Sequence, residues 1–162
     1  MKTPLLLVAA AILVVILIVI TFRDELGQMA ERQHCRSQLY VIAAAVALYR
    51  DDHQGEFPTN ILSADGSLSK LLTCPGIGES AKSNGADGDY VYVDWSKLII
   101  TNPLDFGLFP LAYDRSLSNH GGKGINIVLV NTVSFWDRNA EWLKHFAQTH
   151  PDYNIVVPQS NP

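Results

Sequence analysis

The sequence lacks any run of basic residues, any internal repeat and any long low-complexity tract. Its 162 residues include 12 Lys or Arg and 16 Asp or Glu, which gives a formal net charge of −4. The acidic residues are scattered along the chain. Nucleic-acid binding needs positive charge clustered along the phosphate backbone, so this composition argues against a nucleic-acid partner.

Charge is missing altogether from residues 4–22. As a helix, this segment would be roughly 28 Å long, close to the hydrocarbon thickness of a bilayer. It is longer than the apolar core of a signal peptide, and residues 19–22 offer no small-residue cleavage site. We therefore predict a retained transmembrane anchor over residues 1–22, followed by one small domain over residues 23–162.

Basic residues flank the apolar segment on both sides. Lys2 precedes it, and Arg23, Arg32 and Arg36 follow within reach of the membrane surface. The positive-inside rule counts such basic residues and largely ignores acidic ones, so it does not by itself favour export of the C-terminal part. The orientation of the anchor therefore needs support other than charge.

Apolar residues at intervals of three and four predict a long helix over residues 23–50. They form one stripe, first Leu26, Met29 and Ala30, then Cys35, Leu39, Ile42, Val46 and Tyr49. We expect this stripe to be a core face. Residues 51–58, which include a glycine and a proline, are a turn-forming cluster that ends the helix.

A small antiparallel sheet is predicted in the head, residues 51–162. Alternating or β-branched segments predict strands at residues 89–93, 98–100 and 110–113, and a hairpin of residues 125–130 and 133–136 that turns at Asn131-Thr132. Short helical segments are expected at residues 68–72 and from a cap at Asp137 to about Gln148. A long helix followed by such a sheet is an α+β architecture.

Four motifs occur in a characteristic order. The first runs from Cys35 to Pro58, the second is Leu72-Thr73-Cys74-Pro75, the third is Tyr90-Val91-Tyr92, and the fourth runs from His120 to Val133. Together they resemble bacterial type IV pilin-like proteins and type II secretion pseudopilins, in the subgroup with a C-terminal motif of His, nine residues and Asp-Gly. The motif residues are Tyr49, Asp51, Gly55, Pro58, His120, Gly122, Gly124, Asn126 and Asn131.

This resemblance implies a pilin-like fold, with a long N-terminal helix packed on a small antiparallel sheet. It implies a single-pass protein of the inner membrane whose C-terminal domain is periplasmic or extracellular. The implied partners are the lipid bilayer and other pilin-like subunits or secretion-system proteins, contacted through the N-terminal helix. The implied function is structural or interactive, as in a pseudopilin of a type II secretion-like or pilus-like system, and not enzymatic.

The N-terminus departs from the pilin pattern. Pilins are processed at a glycine just before the apolar helix and carry a glutamate early inside it, and this sequence has neither. Met1 lies about where a processed pilin would begin, so we expect either a lost leader or a different true start. The missing glutamate would neutralise a neighbour's amine, and a buried unpaired charge is costly. A solitary anchored protein that does not assemble is therefore an alternative.

The C-terminal motif is also degenerate. Ten residues separate His120 from Asn131, and Asn131-Thr132 stands where the family has Asp-Gly. Threonine is strained in the left-handed conformation, so we do not expect a two-residue turn with both residues left-handed.

His120 and Asp114 are the candidate chemistry of the head. They could form a general-base pair or half of a metal site, or His120 could be structural, since no further ligands occur at a suitable spacing. The glycines at 121, 122 and 124 lack the Ser/Thr and following helix of a phosphate-binding loop and predict a turn. An anchored ligand-binding or enzymatic domain that uses the His120 region remains an alternative, but we predict no catalytic residue.

Two further features involve ligands or cross-links. Asp51, Asp52 and Glu56 could bind Ca²⁺, as acidic loops do in certain pseudopilins, or they could be an ordinary solvated helix end. Their spacing does not match an EF-hand, and no other cofactor is predicted. Cys35 and Cys74 could form a disulfide if the domain is exported, or could be two separate small apolar residues.

Overall fold

The computed structural model of this protein describes residues 3–74, 88–96 and 107–159, with side chains from Ile12 onward. The first helix, α1, is Thr3–Asp52, and a short helix, α2, follows at Ile61–Ala64. The described residues further contain four strands and another helix, namely β1 (Tyr90–Tyr92), β2 (Pro110–Asp114), β3 (Gly124–Leu129), β4 (Ser134–Arg138) and α3 (Glu141–Thr149). Short 3₁₀ helices lie at Gly66–Leu71, Leu117–His120 and Pro151–Tyr153.

The two ends of α1 differ in what covers them. The predicted core face is confirmed from Cys35 to Val46, where Leu39 and Ile42 are fully buried. The N-terminal extension of the stripe is wrong as a core prediction, because Leu26 and Met29 are 61% and 54% exposed. The head packs only on the C-terminal half of the helix. The apolar stripe therefore extends further toward the N-terminus than the surface that buries it.

The sheet is antiparallel throughout, in the order β1-β2-β3-β4. The strands predicted around residues 89–93, 110–113, 125–130 and 133–136 are confirmed, whereas the segment 98–100 lies outside the described residues. A long helix with a four-stranded antiparallel sheet is the α+β architecture that the sequence predicts. Every residue of β2 and β3 is buried, since these two central strands are covered on both faces.

Each face of the sheet has its own partner. On one face, Tyr90 of β1 donates to Gln38 of α1, and Arg36 of α1 donates to Ser134 of β4. On the other face, Phe135 meets Trp142 of α3 edge-on, with ring centroids 5.2 Å apart. Side chains alternate between the two faces along a strand, so neighbouring residues of β3 belong to different layers.

The β3–β4 hairpin has a three-residue loop, residues 130–132. Leu129 N–H donates to the Val133 carbonyl and Thr132 N–H donates to the Leu129 carbonyl, both at 2.9 Å. Thr132 alone is left-handed in this loop, with φ of 67°, and the Asn131 side chain accepts from Val133 N–H at 3.1 Å. A doubly left-handed two-residue turn therefore does not form, as expected. The reason given for that expectation is wrong, because Thr132 itself adopts the left-handed conformation.

Asp137 caps α3 from an unusual distance. It is the last but one residue of β4, yet its carboxylate accepts from Trp142 N–H at 3.0 Å and Leu143 N–H at 2.9 Å. Ala140, the residue that precedes the helix, has a left-handed backbone conformation and provides no side-chain cap. The predicted capping role of Asp137 is thus confirmed, although the helix begins four residues later, at Glu141.

Replacement of Asp137 with alanine should lower the free energy of unfolding by about 1–2 kcal/mol, because two backbone N–H groups lose their acceptor and Leu143 is buried. Chemical denaturation of the purified protein measures this loss. The matched control is Asp152→Ala, which removes an exposed carboxylate and should change stability by less than about 0.5 kcal/mol. Equal effects of the two substitutions would contradict the capping role.

Candidate functional site

A cluster of buried polar side chains lies where α1 meets the sheet. Asp114 is at the end of β2, His120 ends the 3₁₀ helix Leu117–His120, and Asn126 is in β3. The side chains of Asp114 and His120 have no solvent exposure. Buried polar groups need partners, so their contacts define what this cluster can do.

Asp114 is the centre of the hydrogen-bond network. Its Oδ2 lies 3.1 Å from His120 Nε2 and accepts from the backbone N–H and the side-chain Nδ2 of Asn126, at 2.6 Å and 3.1 Å. Two buried atoms of the cluster have no hydrogen-bond partner among the described residues, Asp114 Oδ1 and His120 Nδ1. The carboxylate therefore has an unused acceptor oxygen in the protein interior.

The cluster directly adjoins the disulfide. Cys35 of α1 is bonded to Cys74, with the two Cα atoms 5.6 Å apart. Cys74 Sγ lies 3.7 Å from His120 Nε2, and Cys74 N–H donates to Asp89 Oδ2 at 2.9 Å. The predicted pairing of these cysteines is confirmed. The pairing also brings both sulfurs next to the imidazole.

The glycine-rich segment after His120 sets the position of this side chain. Gly121 and Gly122 are left-handed, with φ of 67° and 76°, and they reverse the chain from the 3₁₀ helix into β3. A Cβ on Gly124 would lie 2.5 Å from the Asp137 carbonyl oxygen and 2.8 Å from the Trp136 ring. The segment leads into a strand, so the prediction of a turn and not a phosphate-binding loop is confirmed.

Two buried tyrosines of the sheet form hydrogen bonds to other parts of the chain. The Tyr90 hydroxyl donates to Gln38 Oε1 at 2.6 Å, and the Tyr113 hydroxyl donates to the Val156 carbonyl at 2.8 Å. Burial raises the pKa of Tyr90 well above its usual range, and the negative charge of nearby Asp114 adds to the rise. Burial likewise raises the pKa of Tyr113. Both hydroxyls therefore remain protonated donors far into the alkaline range.

The motif residues at the end of α1 lie in a separate region. Tyr49 stacks on His53 with ring centroids 3.7 Å apart, Gly55 N–H donates to the Arg50 carbonyl, and the Pro58 carbonyl accepts from the Tyr92 hydroxyl. These contacts end the helix and attach the following loop to the sheet. They are structural contacts, and none of them reaches the His120 cluster.

The acidic residues considered as a Ca²⁺ site, Asp51, Asp52 and Glu56, are exposed where α1 ends. Within the described residues, the one group of three or more His, Cys, Asp or Glu side chains close enough to share an ion is Cys35, Cys74, Asp114 and His120.

Sequence reasoning missed the main feature of this site. It singled out His120 with Asp114 and, separately, Cys35 with Cys74, but it did not predict that the two pairs touch. It also did not identify buried Asp89 and Gln38 as partners. One signal was available, since Asn126 is a polar residue between the apolar residues Ile125 and Ile127 of a strand.

A second candidate surface is the uncovered N-terminal half of α1. Large apolar side chains from Ile12 to Met29 are at least half exposed there. Over the part of the chain that the structure describes, no helix is both long enough and apolar enough to cross a membrane. The side chains of residues 1–11, the first half of the predicted anchor, lie outside the described part.

Comparison with known proteins adds no relative, since no protein-family model, no curated protein and no solved structure matches this chain. The class that the structure defines is an α+β protein with an extended N-terminal helix. The pilin-like resemblance stays a prediction from sequence motifs.

The double substitution Cys35→Ala and Cys74→Ala should lower the free energy of unfolding by about 4 kcal/mol, because the unfolded chain regains the entropy of an open loop. Thermal or denaturant unfolding in the presence of a chelator measures the change. Wild-type protein treated with a reductant and the same chelator should lose a similar amount. An unchanged stability in both samples would contradict a stabilising cross-link.

Proposed function

We propose that this protein is a membrane-anchored, pilin-like structural or interaction protein that contacts lipid and partner helices through the N-terminal half of α1. The observation that carries the proposal is the exposure of this half. Each residue from 12 to 20 is exposed. The sequence predicts that the anchor extends back to residue 1, through the segment without charge.

An isolated helix in water would not tolerate this surface. The exposed apolar side chains cover every face of the helix, because they occupy consecutive positions. Such a helix needs apolar surroundings all round, either lipid chains or other helices. The large apolar residues concerned, 50–63% exposed, are Ile12, Leu13, Val14, Val15, Ile16, Leu17, Ile18, Val19, Ile20, Phe22, Leu26 and Met29.

Charge marks the end of the apolar segment. Arg23, Asp24 and Glu25 follow Phe22 directly, and all three are exposed. Charged side chains at this position suit the membrane–water interface, where basic residues in particular are found. This supports an anchor that ends near residue 22, with the remaining turns of α1 in water leading to the head.

The disulfide supports placing the head outside the cytoplasm. Disulfides form and persist in oxidising compartments such as the periplasm, and they are rare in the cytosol. Cys35 and Cys74 are both fully buried, so this bond is a structural one. A periplasmic or extracellular head, with the anchor in the inner membrane, agrees with this pairing.

An enzymatic role for the His120 region has less support. Catalysis requires a side chain that can touch a substrate, and the side chains of His120 and Asp114 are completely buried. The Trp136 ring lies edge-on to the His120 ring, with centroids 5.5 Å apart. Catalysis at His120 would require the core to open, whereas binding through the uncovered half of α1 would not.

The double substitution Val14→Asp and Ile16→Asp should release the protein from membranes, because each carboxylate at the helix centre costs about 3 kcal/mol in lipid. Membrane fractionation followed by an alkaline wash measures the attachment. The control is Val133→Asp, which replaces an exposed apolar residue next to the hairpin loop and should leave attachment unchanged. Continued resistance of the double variant to the wash would disprove the anchor.

Assembly can be tested separately with a photo-crosslinking amino acid at Met29, an exposed residue of α1. If α1 packs against pilin-like partners in the membrane, irradiation of cells should give a specific cross-linked adduct. Val156, exposed near the other end of the chain, is the control position and should give none. An anchored protein without adducts at Met29 would favour the solitary, non-assembling alternative.

A further inference from the structure

We propose that the reduced form of this protein binds a Zn²⁺ ion through Cys35, Cys74, His120 and Asp114, in the place that the disulfide takes in the oxidised form. One ligand atom from each of these four residues lies within 4.8 Å of the other three. All four residues are buried. The proposal does not depend on the pilin-like function, since it rests on this cluster alone.

The donor set has the chemistry of a structural zinc site. Two thiolates, one imidazole and one carboxylate are all groups that bind Zn²⁺ in tetrahedral sites. Zinc–sulfur bonds of about 2.3 Å place two thiolates about 3.8 Å apart at tetrahedral angles. The Cα atoms of Cys35 and Cys74 are 5.6 Å apart, so side-chain rotation can open the sulfurs to this separation without moving the backbone far.

The imidazole and the carboxylate already converge on the sulfurs. His120 Nε2 lies 3.7 Å from Cys74 Sγ and 3.1 Å from Asp114 Oδ2. Asp114 Oδ1, which has no partner among the described residues, supplies a free acceptor in this buried space. An unsatisfied buried oxygen is rare in proteins, and a bound cation would satisfy it.

Neighbouring groups hold two of the ligands in place. Asn126 donates its backbone N–H and its side-chain Nδ2 to Asp114 Oδ2, which fixes the orientation of the carboxylate. Asp89 accepts from the backbone N–H of Cys74 at 2.9 Å. Such outer contacts are what orients ligands in metal sites, and here they exist before any ion is bound.

The disulfide and the ion exclude each other, because the same two sulfurs serve both. Reduction by a phosphine and one water molecule breaks the S–S bond and yields two thiols and the phosphine oxide. Binding of Zn²⁺ then displaces the two thiol protons, so the affinity rises with pH until both are lost. Loss of the ion and removal of two electrons and two protons by an oxidant restore the disulfide.

The test uses the full chain in detergent micelles, reduced with a phosphine in denaturant and refolded with Zn²⁺ or Co²⁺. We expect one Zn²⁺ per chain by native mass spectrometry, and for Co²⁺ the strong visible and thiolate charge-transfer absorption of a tetrahedral sulfur site. The oxidised chain, treated identically without reductant, should bind neither ion. Reduced chain without stoichiometric Zn²⁺, or with the weak spectrum of octahedral Co²⁺, would overturn the proposal.

Variants identify the ligands. His120→Gln and Asp114→Asn should each weaken Zn²⁺ binding by about 100-fold or more, since each removes a direct ligand. The matched controls, His145→Gln and Asp152→Asn, change exposed residues of the same types and should leave the affinity unchanged. Equal affinity of wild type and both ligand variants would show that the thiols alone hold the ion, contrary to the proposal.

A measurement on the wild-type chain covers the case in which a ligand variant does not refold. Zn²⁺ should slow alkylation of the two reduced thiols at least 10-fold, and removal of the ion by a chelator should restore the faster rate. Alkylation at the same rate with and without Zn²⁺ would count against the site even if no variant could be prepared.

Discussion

The packing of one face of α1 on the sheet is the contact on which the rest of this structure depends. Cys35, Leu39, Ile42 and Val46 are at most 1% exposed, and they lie over strands that are buried on both faces. Removal of these apolar side chains from water is the main stabilising contribution available to a small head domain. The disulfide adds a covalent link between the same helix face and Cys74, which follows the 3₁₀ helix Gly66–Leu71.

Polar groups occupy the middle of this apolar interface. A buried carboxylate and imidazole are destabilising unless they are well paired, and in this protein one oxygen of Asp114 and one nitrogen of His120 lack partners among the described residues. An apolar pair of similar volume would be expected to pack as well. The polar cluster of Asp114, His120 and Asn126 therefore adds little stability of its own, and ligand binding is the role that we propose for it.

The two halves of α1 differ in how their apolar side chains are distributed around the helix. Its C-terminal half has a single apolar face, which matches a sheet that covers only one side. Its N-terminal half is apolar on all faces, which matches surroundings that are apolar in every direction. The charged residues at 23–25 separate the halves. The anchoring that we propose and the folding of the head would therefore depend on different residues.

The sequence by itself determined the features that depend on local patterns. Periodicity located α1 and the four strands, and Asp137 was recognised as a cap from its residue type and its position before a helical pattern. Only the tertiary structure decided that Leu26 and Met29 remain uncovered. Periodicity identifies an apolar face, but not the surface that buries it. Likewise the contact of His120 with Cys74 joins residues far apart in sequence, and such contacts follow from how the elements pack together.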